Sequence, residues 1–516
     1  MLVLLLAAAA TVAVENQRPG TPAWEIASPA RHQEIEGYAS RTSVNGGEPI
    51  DLYVSTREPR YAIDVFRMGW YAGAGARQVA GPIVRDGIAQ PVPPPDPVTG
   101  LIECAWRDPL RLDTRDASGP WPSGIYLARL TAVSNRQSLI VFVVRDDERR
   151  SALLFQSSVT TFAAYNNWGG TSLYGFNSGK APARKVSFDR PYAANPYGVR
   201  LDGAGDFLRR WEYNAVRFLE REGYDVSYTT DVDTHQRPIA DEGQLRHQIF
   251  LSVGHDEYWS SAMRSHVEAA RDRGVHLAFL GADACYWQIR FEPSARGDAD
   301  RTIVGYKEAA GNLDPLALDG KPENDRLITG RWRDPPVARP EERLVGVMYA
   351  ADPVDADIVV SRAEHWAFAG TGLKDGDALR GLLGYEVDGS YGGGPPALER
   401  LAHSPFAEPG AQGKTRYADM TIYAAESGAL VFATGSIQWS WGLDGYNAPA
   451  WHTPRDSSAA QRITRNVLDR MLQTPTAPRP PVTRWLPSPT LLIASALAIG
   501  FVLRAWIWRR IGRDDT

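Results

Sequence analysis

The chain has 516 residues, of which 43% are hydrophobic and 23% are charged, a balance that is ordinary for globular proteins and does not indicate disorder. The formal net charge of −5 gives no reason to expect a nucleic-acid partner. Two cysteines, Cys104 and Cys285, are too few for a disulfide framework, although one bridge between them stays open. A chain of this length predicts two or three domains.

The first 14 residues form an apolar run that is interrupted only by Thr11. Small residues near Ala13 resemble a signal-peptide cleavage site, but the basic residues that usually precede such a run are missing. Residues 1–14 are therefore predicted to be a signal peptide or an uncleaved N-terminal hydrophobic anchor. Either one would export the residues that follow.

Residues 35–147 alternate short β-rich runs with turn residues. The segment 51–55 alternates polar and apolar side chains with a period of two, and Gly46 and Gly47 place a turn before it. These features predict an all-β domain, a β-sandwich, over 35–147. Strands are expected at four places: 50–55, 62–67, 125–130 and 139–144.

Strands and helices alternate after residue 150, which predicts an α/β domain over 151–473. Apolar runs at 248–253 and 275–280 flank a segment of helical periodicity, 257–273, and predict a β-α-β unit. Its strands should be parallel, and ligands in such sheets bind beyond the carboxyl ends of the strands. Further elements are expected at four places: a strand at 152–155, a helix at 207–222, a strand at 429–434 and a helix at 459–472.

The stretch 254–259, which reads Gly-His-Asp-Glu-Tyr-Trp, follows a predicted buried strand. Glu257 can bind a hard metal ion or take a proton from water, and His255 can act as acid and base or orient a substrate. Capping of the next helix is the alternative, and it is favoured for Asp256. His255 and Glu257 are therefore candidate catalytic residues.

Two more loops are predicted at the same edge of the sheet. In the loop 160–170, Tyr165 would project into the crevice of Glu257, unless the loop only forms turns. In the loop 281–287, Asp283 is a candidate catalytic residue and Cys285 a candidate nucleophile. No basic partner for the thiol is evident, and a buried apolar role is favoured for Cys285.

The C-terminal segment 485–508 is apolar enough to predict a transmembrane helix, which the Pro-rich linker 474–484 separates from the body. A buried core helix is the alternative. The predicted localisation is a single-pass cell-membrane protein with an extracytoplasmic body and a cytoplasmic tail, 509–516. This orientation follows from the positive-inside rule and four arginines at the end of the chain: Arg504, Arg509, Arg510 and Arg513.

Several stretches resemble one known family. They are 37–40 with 67–71, 121–126, 164–166 and 254–259. On these residues the chain resembles the large (β) subunit of N,N-dimethylformamidase over about 35–470. The resemblance implies a β domain joined to a flavodoxin-like α/β domain similar to glutamine amidotransferases.

The resemblance also implies a mononuclear non-haem iron, held by two tyrosine phenolates and one glutamate, that hydrolyses a small amide to an amine and a carboxylate. By local motif the glutamate is Glu257, one tyrosine is Tyr165, and Tyr126 is the choice for the other. Tyr174 and Tyr213 remain open for that position.

His255 would then lie beside the metal, and Asp283 stands where relatives commonly have asparagine. The expected partner is a small-molecule amide or another small ligand, and an oligomer or a small-subunit partner stays open. The alternative function is a non-catalytic extracytoplasmic ligand- or carbohydrate-binding protein. Its cleft would be lined by four tryptophans: Trp168, Trp259, Trp287 and Trp439.

Overall fold

The structure is a computed structural model that describes residues 12–179, 181–193, 203–208, 211–241, 244–411, 413–446 and 456–474. In this part of the chain the fold is mixed α/β, with several sheets and more residues in strands than in helices.

The first part of the chain is almost entirely β. A helical turn, α1 (Val12–Glu15), precedes the strands. Ten strands follow in chain order: β1 (Ile35–Ala39), β2 (Ser43–Asn45), β3 (Pro49–Thr56), β4 (Arg60–Met68), β5 (Ala76–Asp86), β6 (Leu110–Asp113), β7 (Arg115–Asp116), β8 (Gly119–Pro120), β9 (Gly124–Ala132) and β10 (Gln137–Arg145).

Two of the sheets share one apolar core. A three-stranded sheet has the order β1-β3-β6, and a five-stranded sheet has the order β2-β10-β9-β4-β5. In β3 the apolar side chains Ile50, Leu52 and Val54 are buried while their neighbours are partly exposed, which is the alternation of a strand with one buried face. These side chains pack with β4, β9 and β10, and all four predicted strands are present.

The second part of the chain mixes strands and helices. Its helices are α2 (Val159–Tyr165), α3 (Glu212–Arg221), α4 (Asp231–Gln236), α5 (Ser261–Asp272), α6 (Ala310–Leu313), α7 (Pro315–Leu318), α8 (Glu342–Val345), α9 (Trp439–Leu443) and α10 (Ser458–Gln473). Its strands are β11 (Leu153–Ser157), β12 (Lys185–Ser187), β13 (Val226–Thr230), β14 (Ala240–Asp241), β15 (Gln244–Leu245), β16 (Ile249–His255), β17 (Tyr258–Ser260), β18 (His276–Ala282), β19 (Trp287–Glu292), β20 (Thr302–Val304), β21 (Met348–Val359), β22 (Ala378–Gly389), β23 (Glu399–Ala407), β24 (Thr415–Ala424) and β25 (Leu430–Ala433).

A seven-stranded sheet organises this part, with the order β13-β11-β16-β18-β25-β24-β23. The first five strands are parallel and the last two are antiparallel. Numbered along the chain, the parallel strands run 2-1-3-4-5, which is the order of flavodoxin-like sheets. Every residue of β11, β16 and β18 is buried, as expected for parallel strands that are covered on both faces.

Two neighbouring strands of this sheet end side by side. Gly254 pairs with Gly281, and His255 pairs with Ala282. A Cβ atom at Gly281 would lie 2.2 Å from the carbonyl oxygen of Gly254, and Gly254 itself has φ +69°. Glycine at both positions therefore lets the two chain segments that follow, with Glu257 and Asp283, come together.

The structure corrects three sequence predictions near this edge. The predicted helix 257–273 begins only at Ser261, because Tyr258–Ser260 pairs with β19 as a strand. Ser260 caps the helix, whereas the carboxylate of Asp256 accepts hydrogen bonds from Gln156, Ser252 and Trp259. The first half of the predicted loop 160–170 is the helix α2.

The predicted membrane localisation is also corrected. No helix in the described part of the chain is long and apolar enough to cross a bilayer, and the longest, α10, has 16 residues where a span needs about 20. The predicted span, 485–508, and the tail, 509–516, lie outside the described residues. Single-pass anchoring, and the extracytoplasmic body inferred from it, are therefore not supported.

Only the end of the apolar run 1–14 lies in the described part of the chain. Val12 is buried in the main apolar core, and Glu15 accepts a hydrogen bond from the Tyr71 hydroxyl at 2.8 Å. Residues 1–11 lie outside the described ranges, so a signal peptide or anchor stays a prediction.

Candidate active site

A hydrogen-bonded tyrosine–glutamate pair lies at the carboxyl edge of the parallel sheet. The Tyr174 hydroxyl donates to Glu257 Oε1 at 2.6 Å. The backbone N–H of Glu257 donates to Thr161 Oγ1 at 3.0 Å, which ties the segment after β16 to helix α2. Glu257 is buried, so its carboxylate is held on a rigid support and away from bulk water.

Aromatic rings surround this pair. The ring centroid of Tyr165 lies 4.2 Å from that of Tyr174 and 5.0 Å from that of His255. Tyr258 meets Tyr165 and Tyr174 edge to face, with each centroid distance 6.4 Å. Burial and the charge of Glu257 raise the pKa of all three phenols well above its ordinary value.

A buried lysine lies against one face of the ring of Tyr174. Lys307 Nζ lies 3.2 Å from the ring centroid of Tyr174 and 4.9 Å from that of Trp287, two cation–π contacts. Burial lowers the pKa of Lys307 to about 8, although the charge of Glu257 opposes this shift. The lysine thus supplies positive charge close to Glu257.

A second group of titratable side chains adjoins the first. His255 Nε2 lies 3.1 Å from Glu257 Oε2 and 3.3 Å from Glu386 Oε2. One ligand atom each from His255, Asp283 and Glu386 lies within 4.8 Å of the others. These three side chains could hold a metal ion.

The pKa values of these groups shift in different directions. Burial alone would lower the pKa of His255, but Glu386 and Glu257 outweigh it and raise the pKa well above its ordinary value. Burial raises the pKa of Glu257, yet His255 and Lys307 leave it lowered overall. Burial raises the pKa of Glu386. Burial also raises the pKa of Asp283, and the charges of Glu257 and Glu386 add to this shift. Glu257 and His255 therefore form the charged pair, while Asp283 and Glu386 retain protons more readily.

The structure brings together His255, Glu257, Asp283 and Tyr165 of the predicted site residues, but not Tyr126. The Tyr126 hydroxyl donates to the Pro122 carbonyl at 2.6 Å, and its ring stacks between other aromatic rings of the sandwich core.

The structure also distinguishes the two tyrosines that were left open, Tyr174 and Tyr213. The Tyr213 hydroxyl donates to the Gly75 carbonyl at 2.9 Å, whereas Tyr174 lies in the site. The local sequence around each tyrosine does not reveal this choice. Tyr126 and Tyr174 differ in where the fold places their hydroxyl groups.

The two cysteines do not pair. Both are free and buried, and burial raises the pKa of the Cys285 thiol. A thiol that stays protonated and inaccessible is a poor nucleophile. The four tryptophans predicted for a binding cleft are also buried in apolar clusters, at 4% exposure or less: Trp168, Trp259, Trp287 and Trp439.

Sequence reasoning missed Glu386 and Lys307. Glu386 lies in β22 among buried apolar residues such as Leu383 and Val387, and a carboxylate in such a run is the one signal that could have found it. Lys307 stands in a short helical turn with φ +57° and has no comparable signal. Tyr258 belongs to the predicted stretch 254–259 but was not singled out.

The family described as N,N-dimethylformamidase beta subunit-like, C-terminal, matches residues 62–453. The chain belongs to this family. The matched region contains the strands of the sandwich from β4 onward, the whole parallel sheet and every residue of the site described above. Membership is consistent with a hydrolase-like protein.

Other comparisons add little. No curated protein matches the chain significantly. A cycloisomaltooligosaccharide glucanotransferase from Paenibacillus sp., solved with cycloisomaltoheptaose, is 10% identical over 48% of this chain and 38% of its own, with a TM-score of 0.15. A likeness at that level carries no argument about fold or function.

Proposed function

We propose that the protein is an iron-dependent hydrolase that cleaves the C–N bond of a small amide. The observation that carries the proposal is the hydrogen bond from Tyr174 to the buried Glu257, with Tyr165 stacked on Tyr174 and His255 beside Glu257, at the carboxyl edge of a parallel sheet. Ligands in open α/β sheets bind at this edge. Family membership supports the same reaction class.

The side chains fit a hard metal ion. Tyr165, Tyr174 and Glu257 offer two phenol oxygens and a carboxylate, the donor type that ferric iron prefers. Glu257 Oε2 is buried and lies 3.1 Å from His255 Nε2. These three residues would hold the iron.

When bound, the iron would supply Lewis acidity that polarises an amide carbonyl and lowers the pKa of water. Hydrolysis also requires one proton to leave the attacking water and one to reach the departing nitrogen. Glu386 is a buried carboxyl with a raised pKa, which suits a general base, and the neighbouring carboxylates of Glu386 and Glu257 raise the pKa of His255, which suits a proton donor. Glu386 accepts the first proton and His255 donates the second, and their 3.3 Å contact lets the proton return.

The substrate is expected to be small and largely apolar apart from its amide group. The site is walled by the rings of Tyr165, Tyr174 and Tyr258, and the exposed ring of Phe176 lies 5.2 Å from Tyr174. The 2-1-3-4-5 strand order supports the finer assignment of a glutamine-amidotransferase-like α/β domain.

A comparison of two tyrosine variants tests the metal assignment. The full chain is expressed with iron, and metal content and amine release from small N-substituted amides are measured. We expect stoichiometric iron in the wild type and in Tyr126→Phe, which alters a fully buried tyrosine of the sandwich core. Tyr174→Phe and Glu257→Ala should lose iron and more than about 100-fold of the activity.

A well-folded wild-type protein that holds no transition metal after expression with iron would overturn the proposal. So would a Glu257→Ala variant that keeps both its iron and its activity. Loss of iron in Tyr126→Phe but not in Tyr174→Phe would overturn the choice of the second tyrosine.

A further inference from the structure

Asp283 carries a buried carboxyl group that the proposed mechanism does not use. The residue follows β18 with φ +55°, a left-handed conformation that is uncommon for residues other than glycine. Its backbone N–H donates to Asp388 Oδ1 at 2.8 Å, which holds it in this conformation. The backbone therefore fixes where the side chain of Asp283 begins.

One oxygen of this carboxyl group lacks a partner. Asp283 is 5% exposed, and its Oδ1 atom is buried and makes no hydrogen bond among the described residues. A buried polar atom without a partner is costly, and such atoms in folded proteins usually meet water or a ligand. We therefore expect Oδ1 to accept a hydrogen bond from a molecule that enters the site.

The nearby basic side chains do not supply this hydrogen bond. The charge of Asp283 acts on Arg333 and Lys307. Arg333, however, donates to Glu341 through Nε and Nη2, and Lys307 Nζ lies over the ring of Tyr174. Both cations are thus engaged elsewhere, which leaves Oδ1 for a small molecule.

Asp283 lies within reach of the groups that are proposed to move protons. One of its carboxyl oxygens lies within 4.8 Å of a ring nitrogen of His255 and of a carboxyl oxygen of Glu386. Two atoms at this separation can both contact one nitrogen between them at hydrogen-bonding distances of about 2.7–3.2 Å. His255 is the proposed proton donor to the departing nitrogen of the amide. Asp283 can therefore contact the same nitrogen.

The chemistry of the carboxyl group determines what this nitrogen must carry. A carboxyl group keeps an acceptor oxygen whether or not it is protonated. Primary and N-monosubstituted amides have an N–H that can donate to it, whereas N,N-disubstituted amides have none. A disubstituted amide would leave Oδ1 buried without a partner, and a site built around a hydrogen bond rejects a substrate that cannot form it.

We propose that the substrate is a primary or N-monosubstituted amide, and that Asp283 selects it by accepting a hydrogen bond from its N–H group. The inference rests on the proposed function for the bond that is cleaved, and it narrows the class of amide. An N,N-disubstituted amide would instead direct an alkyl group at a buried carboxyl group.

Two isomeric amides test the proposal without a difference in size. N-ethylformamide has an N–H, N,N-dimethylformamide has none, and hydrolysis of either releases formate. Formate release by the iron-loaded full chain gives kcat/KM for each amide. We expect the wild type to prefer N-ethylformamide by at least about 30-fold.

A matched pair of variants assigns this preference to Asp283. Asp283→Gly removes the carboxyl group, and glycine adopts φ +55° without strain, so the variant should fold. Its preference should fall by at least about 10-fold. The control, Asp108→Gly, replaces an exposed aspartate with φ +56° between β5 and β6, and it should keep the wild-type ratio.

Thermal unfolding provides a measurement that does not depend on turnover. The Tm of each protein is measured with the two amides at the same concentration, because a ligand that binds the folded state raises Tm. N-ethylformamide should give the higher Tm in the wild type and in Asp108→Gly. The difference should disappear in Asp283→Gly.

The outcomes separate this inference from the proposed function. If the wild type and Asp283→Gly release formate from both amides in the same ratio and show no difference in Tm, the role of Asp283 is overturned. Water would then be the partner of Oδ1, and the hydrolase assignment would stand. A wild type that prefers N,N-dimethylformamide has the same meaning.

A wild type that releases no formate but shows a Tm difference that depends on Asp283 has the opposite meaning. It supports recognition of the N–H group and overturns the hydrolase assignment. No formate release together with no Tm difference overturns both.

Discussion

Two buried groups of charged side chains in this protein are built in opposite ways. In the first, Arg67 of β4 and Glu220 of α3 form an ion pair in which both side chains have 0% exposure. Arg67 also donates to the Ser123 carbonyl and to Tyr71, and Tyr228 donates to Glu220. Every charge in this group therefore has hydrogen-bonding partners, and its role is to join the sandwich to the α/β part.

The second group, at the carboxyl edge of the sheet, places three carboxyl groups around one imidazole. His255 Nε2 lies 3.1 Å from Glu257 Oε2 and 3.3 Å from Glu386 Oε2, while Asp283 Oδ1 is buried and has no hydrogen bond among the described residues. A protein gains no stability from such an arrangement. The difference teaches that burial of charge alone does not identify a site, whereas incomplete pairing of buried charge does.

The largest effect is expected when the ion pair of the first group is removed. Glu220→Gln leaves Arg67 as a buried charge without its partner, so the free energy of unfolding should fall by about 3–5 kcal/mol. The matched change, Glu386→Gln in the second group, should cost less, because His255 keeps its contact with Glu257 at 3.1 Å. Urea denaturation of both variants measures the difference. Equal destabilisation by the two changes would contradict the comparison.

A third buried carboxyl group, that of Glu212, extends this comparison to the effect of pH. Glu212 is buried and accepts hydrogen bonds from Ser157 and Ser158, and burial raises its pKa to about 8. An unfolded glutamate has a pKa of about 4.3, so the folded chain holds this proton more tightly. The stability that the proton contributes is complete below pH about 4.3 and is lost as pH rises toward 8.

Glu212→Gln should therefore remove a slope of about 1.4 kcal/mol per pH unit from the free energy of unfolding across this window. Denaturation at several pH values from about 5 to 8 measures the slope in both proteins. Identical slopes would show that Glu212 does not hold a proton in the folded protein.

The smallest expected effect concerns a buried group without charge. Cys285 has 0% exposure and lies in an apolar cluster beside the site. Cys285→Ser should cost about 1–2 kcal/mol of stability, because it buries a hydroxyl, and should leave amide hydrolysis within about twofold. Enzyme assays at matched iron content check this. If the variant lost hydrolysis but kept its iron, the Cys285 thiol would again be a candidate nucleophile.

Local patterns in the sequence determined the strands of the sandwich, the alternation of strand and helix after residue 150, and the stretch 254–259 at the end of a strand. These features depend on side-chain periodicity and on residues close together in the chain. The same patterns led to the incorrect helix start before Ser261, because a strand pairing with a distant segment overrides local helical periodicity. Family resemblance added the prediction that Tyr165 and Glu257 bind a metal ion.

Only the tertiary structure decided which side chains meet. It placed Tyr174 rather than Tyr126 against Glu257, and it brought Glu386 from β22 to His255. No periodicity encodes these contacts, because they depend on how sheets and connecting segments pack across long separations in the chain. The sequence by itself therefore determined the family and the edge at which the site lies, whereas packing determined which oxygen and nitrogen atoms converge there.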